Sequence, residues 1–363
     1  MKETHTSSQA TSHKRARSAS LGTLSEHLGL SRAAISRVLN GVPAAQSIPK
    51  ATQDRIFAAA KQFNYRPNAL ARSLRHGRSM MIGVLVPEVS EGFATLVLAG
   101  IEQALLQAGY IFFLISHHHR PELIERALVM LQERSVDGMI AVDTILPAPV
   151  QLHCVSISCR NEQESVMSIL LNHRRAAELA INHLVGLGHR EIAVIRGQAF
   201  SSDSQPRWEA IRHAISRAGL RLDPKLVVQL EGDVPTHEPG YFAAQRLLSA
   251  NQKFTAVFAF NDVSAIGAIH AFRESGMRVP QDVSVVGFDD VLSAAFQNPA
   301  LTTVRQPLTK MGVLGAEALV RSIEDHEAQT VSKHLVVDPE LIVRESTCPP
   351  PAQVAKRRGA ASR

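Results

Sequence analysis

Two short apolar-periodic stretches near the start of the chain are separated by Gly29-Leu30-Ser31. Gly29 tolerates a left-handed turn, and Ser31 suits the start of a helix. A helix from Ser31 turns Ile35, Val38 and Leu39 inward and presents Arg32, Ala33, Ser36 and Arg37 outward. Such a helix fits the major groove of DNA, with its N-terminal residues reaching base edges. An arginine fork matches O6 and N7 of guanine, worth about 1–3 kcal/mol of discrimination, and Arg37 is the first choice for that contact. Ser31, Asn40 and Lys50 are placed for phosphates, which fix register without reading sequence. A plain helical hairpin with a solvated arginine face is the alternative reading of the same residues.

Other candidate chemistry is thin. His117-His118-His119 are adjacent, and neighbours on one loop converge poorly on a metal ion. Cys154, Cys159 and Cys348 form no CxxC pair and read as idle thiols. Gly186-Leu187-Gly188 precedes a strand instead of following one, so it is not a dinucleotide loop. There is no GxSxG, HExxH or P-loop. No catalytic residues, cofactor or metal are expected, and an enzyme is excluded on that ground.

Charge is divided along the chain. Residues 1–78 hold 13 Lys/Arg against 3 Asp/Glu, a balance of +10. The last twelve residues add four cations, and the stretch between is left at −8. A basic end on an acidic body suits a polyanionic partner, nucleic acid above all. A solubilising tail is the other reading. No apolar run approaches the ~20 residues of a membrane span, and residues 1–20 lack the apolar core of a secretory signal. A cytoplasmic, nucleoid-associated protein is expected.

These residues need elements to hold them. Leu21, Leu24 and Leu28 share helical spacing, with Thr23 and Glu26 as the expected capping-box pair. A third helix over about 51–63 buries Ile56, Ala59, Ala60 and Phe63. From about residue 80 strand patterns alternate with helix patterns: MIGVLVP, YIFFLIS, DGMIAV, CVSIS, EIAVIRG, LVVQL, AVFAFND and VSVVGFDD. That alternation means parallel sheets with covered faces, and the units are too many for one sheet. Two sheets with a ligand cleft between them follow. No internal sequence repeat is visible.

The segments LSEHLGLSRAAISRVLNG, IPKATQDRIFAAAKQFNYRPNALARSLR, LGHREIAVI, FNDVSAIGA, RVPQDVSVVGFDD and LTTVRQP together resemble the lactose/galactose repressor family, over most of the chain. The resemblance implies a small all-α helix-turn-helix domain followed by an α/β periplasmic-binding-protein-like domain of two parallel-sheet subdomains. The expected division is a basic arm (1–19), a helix-turn-helix (20–66), a hinge helix and linker (67–78), an effector-binding and dimerisation domain (79–345) and a basic tail (346–363), both terminal segments being disordered. Within 79–345 the subdomains are expected at about 79–160 plus 291–320 and 161–290 plus 321–345. The implied protein is a homodimeric repressor of a near-palindromic operator, controlled by a small sugar or sugar derivative. NYRPNALARSL matches the hinge that becomes helical on operator, with Leu74 wedged into the minor groove and Asn68, Ala71 and Arg72 beside it. Arg207, Asn261 and Asp289 match effector-contacting positions, and Phe93 is placed to stack on a sugar face. Helix capping is the other role open to Asn261 and Asp289.

The chain departs from the family at four places. GVPAAQSIPK is long for its loop, and Ser25 stands where alanine is frequent. Glu88-Val89-Ser90-Glu91-Gly92-Phe93 replaces an acidic–x–x–Asn-Pro-Phe turn, and Asn172 stands where aspartate is common. An exported solute-binding protein, or a repressor that has lost its effector, are the competing functions.

Overall fold

The computed structural model describes residues 20–41, 43–65, 77–90, 92–147, 149–163, 165–232, 236–324 and 333–351. The expected arm, residues 67–76 of the hinge, Glu91 and the tail beyond residue 351 lie outside the described residues. The chain divides after Ser79 into two units.

In the first unit α1 (Leu21–Leu28), α2 (Arg32–Leu39) and α3 (Lys50–Gln62) close on Leu24, Ile35, Val38 and Ile56, all buried. The capping box of α1 is made by Ser20 with Thr23, not by Thr23 with Glu26. Thr23 N–H donates to Ser20 Oγ at 3.1 Å and Ser20 N–H to Thr23 Oγ1 at 3.3 Å. The helix starts directly after Ser20, so Thr23 holds the third helical position and Glu26 lies a turn too far along. Gly29 ends α1 at φ 66°, and the Ser25 hydroxyl donates to Leu30 O at 2.7 Å across the turn. The long loop folds into a 3-10 turn at Pro43–Ser47. Gln53 Nε2 ties it to α3 by donating to Ala45 O at 3.1 Å and Ile48 O at 2.9 Å.

The second unit holds two six-stranded sheets. The first runs β11 (His334–Val337), β5 (Val166–Leu171), β4 (His153–Ile157), β3 (Gly138–Val142), β1 (Met81–Val86), β2 (Ile111–Ser116). The second runs β12 (Glu340–Ile342), β10 (Thr302–Arg305), β9 (Ser284–Asp289), β8 (Ala256–Ala259), β6 (Ile192–Arg196), β7 (Val227–Gln229). Every pairing is parallel except β10 with β12. Helices α4 (Phe93–Gln107), α5 (Pro121–Glu133), α6 (His173–Leu187), α7 (Ser204–Arg217), α8 (Glu238–Ser249), α9 (Asp262–Glu274), α10 (Leu292–Phe296) and α11 (Leu308–Glu324) join and cover the strands. The central strands are mostly apolar; β9 is buried at every position, Ser284 and Asp289 at its ends included, because both faces are covered.

The two sheets share one order, 2-1-3-4-5 in the local count, with a late strand added at the far edge. No sequence repeat announces this duplication. The expected subdomain limits differ from the observed ones. β5 pairs with β4 and β11 with β5, so both belong to the first sheet, while β10 pairs with β9 in the second. α11 packs on α4 and the first sheet. The chain therefore crosses at Asn172, at Gln306-Pro307 and at Asp338, not near residues 160, 290 and 320. A strand joins the sheet whose open edge it can pair with, whatever its place in the sequence. Asn172 Nδ2 donates to Asp338 Oδ1 at 2.9 Å and links two of these crossings.

Candidate functional site

On α2, Ser31 is the N-cap, its Oγ accepting from Ala34 N–H at 3.1 Å. Arg32, Ala33 and Arg37 are exposed. Ser36, expected beside them, is instead 6% exposed. Its oxygen accepts from Asn40 Nδ2 at 3.1 Å. The inner face of α2 meets both other helices, so its buried arc widens from Ile35 to take in Ser36. Asn40 caps the C-terminus, its amide also donating to Ser36 O at 2.8 Å. Lys50 is exposed and pairs with Asp54 at 3.3 Å. Asn68, Ala71, Arg72 and Leu74 lie outside the described residues.

In open α/β sheets ligands bind beyond the carboxyl ends of strands, where the strand order reverses. β1 and β3 flank that switch in the first sheet, and β6 and β8 in the second. A cavity of about 130 Å³ lies there, lined by the segments that follow these strands: Glu88 after β1, Asp143 after β3, Gln198, Phe200, Ser201 and Asp203 after β6, and Asn261 after β8. Phe93, Phe260 and Asp289 complete it, and His119 stacks on Phe200 with ring centroids 4.3 Å apart. A more apolar hollow of about 580 Å³, lined in part by Leu146, Cys159 and His173, lies behind Ser202 and Asp203. The strand ends turn sharply: φ is 43° at Asp143, 61° at Ser158 and 108° at Asp289. Positive φ at non-glycine residues costs on the order of 1–3 kcal/mol each and gathers where function demands the geometry.

All four residues expected in the cleft line this cavity. Arg207 does not offer a free fork, however. It is 3% exposed, donates to Phe260 O at 2.6 Å and to Asp203 Oδ2 at 3.2 Å, and lies between the rings of Phe260 and Phe288. Burial works against the charge of Asp203, yet His173, at 3.1 Å, and Arg207 hold its carboxyl below the usual range. Asn261 caps α9, its Oδ1 accepting from Ser264 N–H at 2.9 Å. Capping uses the oxygen alone, so capping and ligand contact are compatible: the Asn261 amide hydrogens are not needed for the cap. Asp289 Oδ1 accepts from Gln306 Nε2 at 2.6 Å. Burial pushes the Asp289 carboxyl up to about 7 against the pull of Arg207 and Gln306.

The residue-type reading missed Asp143, Ser202, Asp203, His119 and Phe200. Asp143 carried a usable signal, as a carboxylate directly after the strand GMIAV. The others depend on which loops the fold brings together. Of the histidine run, His117 is buried. Its Nδ1 accepts from His119 N–H at 3.0 Å, which puts the ring proton on Nε2, 2.8 Å from Thr144 Oγ1. Burial and the neighbouring histidines push its pKa down to about 4. Among the described residues no three His, Cys, Asp or Glu are placed to hold a metal ion, and no helix is long and apolar enough to cross a membrane.

Comparison with known proteins gives a consistent picture. Residues 181–347 match the model of a periplasmic binding protein-like domain. The chain is 31% identical over 329 residues to the HTH-type transcriptional repressor PurR of Aliivibrio fischeri, covering 87% of this chain and 95% of that one. The structure is similar to the lac repressor dimer bound to operator and the anti-inducer ONPF, with a TM-score of 0.79, 25% identity, and 92% and 100% of the two chains covered. It is also similar to the transcriptional regulator CelR in complex with cellobiose, with a TM-score of 0.68, 28% identity, and 90% and 99% covered.

Proposed function

Because the chain belongs to the LacI/GalR family of transcriptional regulators, we propose that it is a homodimeric repressor whose grip on a near-palindromic operator is set by a sugar or sugar derivative held between its two α/β subdomains. The observation that carries this reading is the pairing, in one chain, of an exposed Arg32–Arg37 helix in a basic segment with a cleft built at both switch points. Arg37 reads a guanine edge, Arg32 and Ala33 flank it, and Lys50 meets phosphate. Ser31 and Asn40 chiefly shape the helix. The hinge residues Asn68, Ala71, Arg72 and Leu74 reach the minor groove, Leu74 as the wedge. In the cleft, Phe93 stacks on the ligand, the Asn261 amide donates to a hydroxyl and Asp289 accepts from one. Arg207 holds the wall. Its place of work is the nucleoid in the cytoplasm.

The exposed apolar residues support the dimer. Ile111, Phe113 and Leu114 lie on the edge strand β2 and Leu292 and Phe296 on α10, one patch per subdomain. A second copy of the chain covers both, so a change in the angle between subdomains alters the spacing of the two headpieces.

Selection of the full-length protein against random duplex DNA at near-physiological salt, with and without a pool of sugars, tests the reading. The expected product is a near-palindrome with a flexible central step, enriched differently in the two arms. Arg37→Ala should relax one position of each half-site while leaving the rest. Recovery of no motif in either arm would remove the operator-binding reading.

A further inference from the structure

The cleft is bridged by a clasp centred on Asp143. Asp143 belongs to the first subdomain, and its partners Ser201 and Ser202 to the second. Ser202 N–H donates to Asp143 Oδ1 at 3.0 Å, and Ser201 Oγ donates to Asp143 Oδ2 at 3.3 Å. Ser202 Oγ makes a short contact with Asp143 Oδ1 and lies 3.0 Å from Ser158 O, at the end of β4. A hydroxyl has one hydrogen, and a carbonyl oxygen and an ionised carboxylate both only accept. The two contacts are satisfied together only when Asp143 is protonated. Its O–H then donates to Ser202 Oγ, and Ser202 O–H donates to Ser158 O.

We propose that Asp143 is a proton-requiring clasp across the cleft, so that a proton shared along Asp143, Ser202 and Ser158 holds the subdomains closed and its loss loosens them. The consequence for operator binding rests on the regulator reading above; the clasp does not.

The surroundings fit. Withdrawal of water, and then the charge of Asp203, push the Asp143 carboxyl up to about 7 against its serine donors. Cys159, after β4, is pushed up to about 11 by burial and stays a neutral thiol. His119, after β2, is pushed down to about 4 by burial and by His118, and stays neutral. Glu88, after β1, is raised by burial. Asp203 keeps its charge between His173 and Arg207. In an opened cleft Asp143 regains water and returns to the ordinary range near 4. A pKa that is higher in the closed form means closure binds a proton. Closure therefore strengthens as pH falls below about 7, by up to about tenfold per unit until the ordinary range is reached, and is flat above 7.

Hydrogen exchange of the full-length, ligand-free protein reads the clasp at the peptide containing the Ser202 amide. Protection from pH 5.5 to 8.5 is corrected for the intrinsic exchange rate. Wild type should lose about tenfold in protection per pH unit up to about 7. D143N should be flat, because a side-chain amide does not titrate in this range. H173Q, which removes the neighbouring imidazole, should still lose protection as pH rises, and a flat H173Q profile would assign the titration to His173 even should D143N misfold. A flat wild-type profile, a sloping D143N profile or a flat H173Q profile would each overturn the proposal. No DNA or effector enters the measurement, so failure of the regulator reading leaves it intact.

Discussion

Arg207 shows how a single side chain serves structure before it serves a ligand. Its guanidinium sits between Phe260 and Phe288 and neutralises a buried carboxylate, Asp203. Breaking a buried pair by removing one partner leaves an uncompensated charge and costs about 3–5 kcal/mol. His173 remains beside Asp203, so Arg207→Ala should sit at the lower end of that range in a urea melt of the full chain. Asn261→Ala should cost about 1 kcal/mol, the worth of a helix cap. Phe93→Ala should cost less than Arg207→Ala in the same melt and weaken effector binding, because Phe93 is only partly buried where it packs on the core at the start of α4. Equal melts for Arg207→Ala and Phe93→Ala would show that the Arg207–Asp203 pair does not stiffen the wall.

At the scale of elements the tightest constraint is a helix crossing. α4 and α11 approach so closely at Gly100 and Gly312 that no side chain fits between them. A methyl on Gly100 would lie 2.0 Å from Thr309 O, and one on Gly312 would lie 2.1 Å from Val97 O. Both obstacles are backbone, so relief requires the helices to part. Gly312→Ala should cost at least the 1–3 kcal/mol or so of an overpacked core and lower the melting temperature by several degrees. A melting temperature equal to that of wild type would mean that the crossing can widen freely. This crossing also shows what the residues did and did not disclose. Period 3.6 and period 2 reveal α4, α5 and the central strands, because a face buried against a sheet must be apolar. They pass over β5, and over β10, β11 and β12, which are only three or four residues long and carry polar residues such as His334, Thr303 and Glu340. They also leave open which sheet a strand joins, since pairing is settled by free edges and not by chain order. The cleft was legible in part for the same reason. Asp289 ends β9 and Asn261 follows closely on β8, whereas Ser202 gains its meaning only when another subdomain brings Asp143 to it.

For the whole molecule the informative surface is the one left uncovered. Phe296 is 82% exposed and Leu292 75% on the second subdomain, and Ile111 is 67% exposed on the first. Isolated apolar residues on a surface are ordinary, but a patch on each subdomain points to self-association, as the proposed dimer requires. A palindromic operator rewards the dimer by making the second half-site contact intramolecular, which is worth about 10²–10⁴ in avidity. Phe296→Asp places a charge in one patch, at the end of α10 and outside the residues that line the cleft. Sedimentation should find more monomer, and affinity for the full operator should fall by about 10²-fold or more. The preferred half-site and the affinity for effector should not change, because the residues that supply them lie elsewhere in the fold. If Phe296→Asp stays dimeric and binds operator as wild type does, the two headpieces must be held together by another surface, with the β2 edge as the next to substitute.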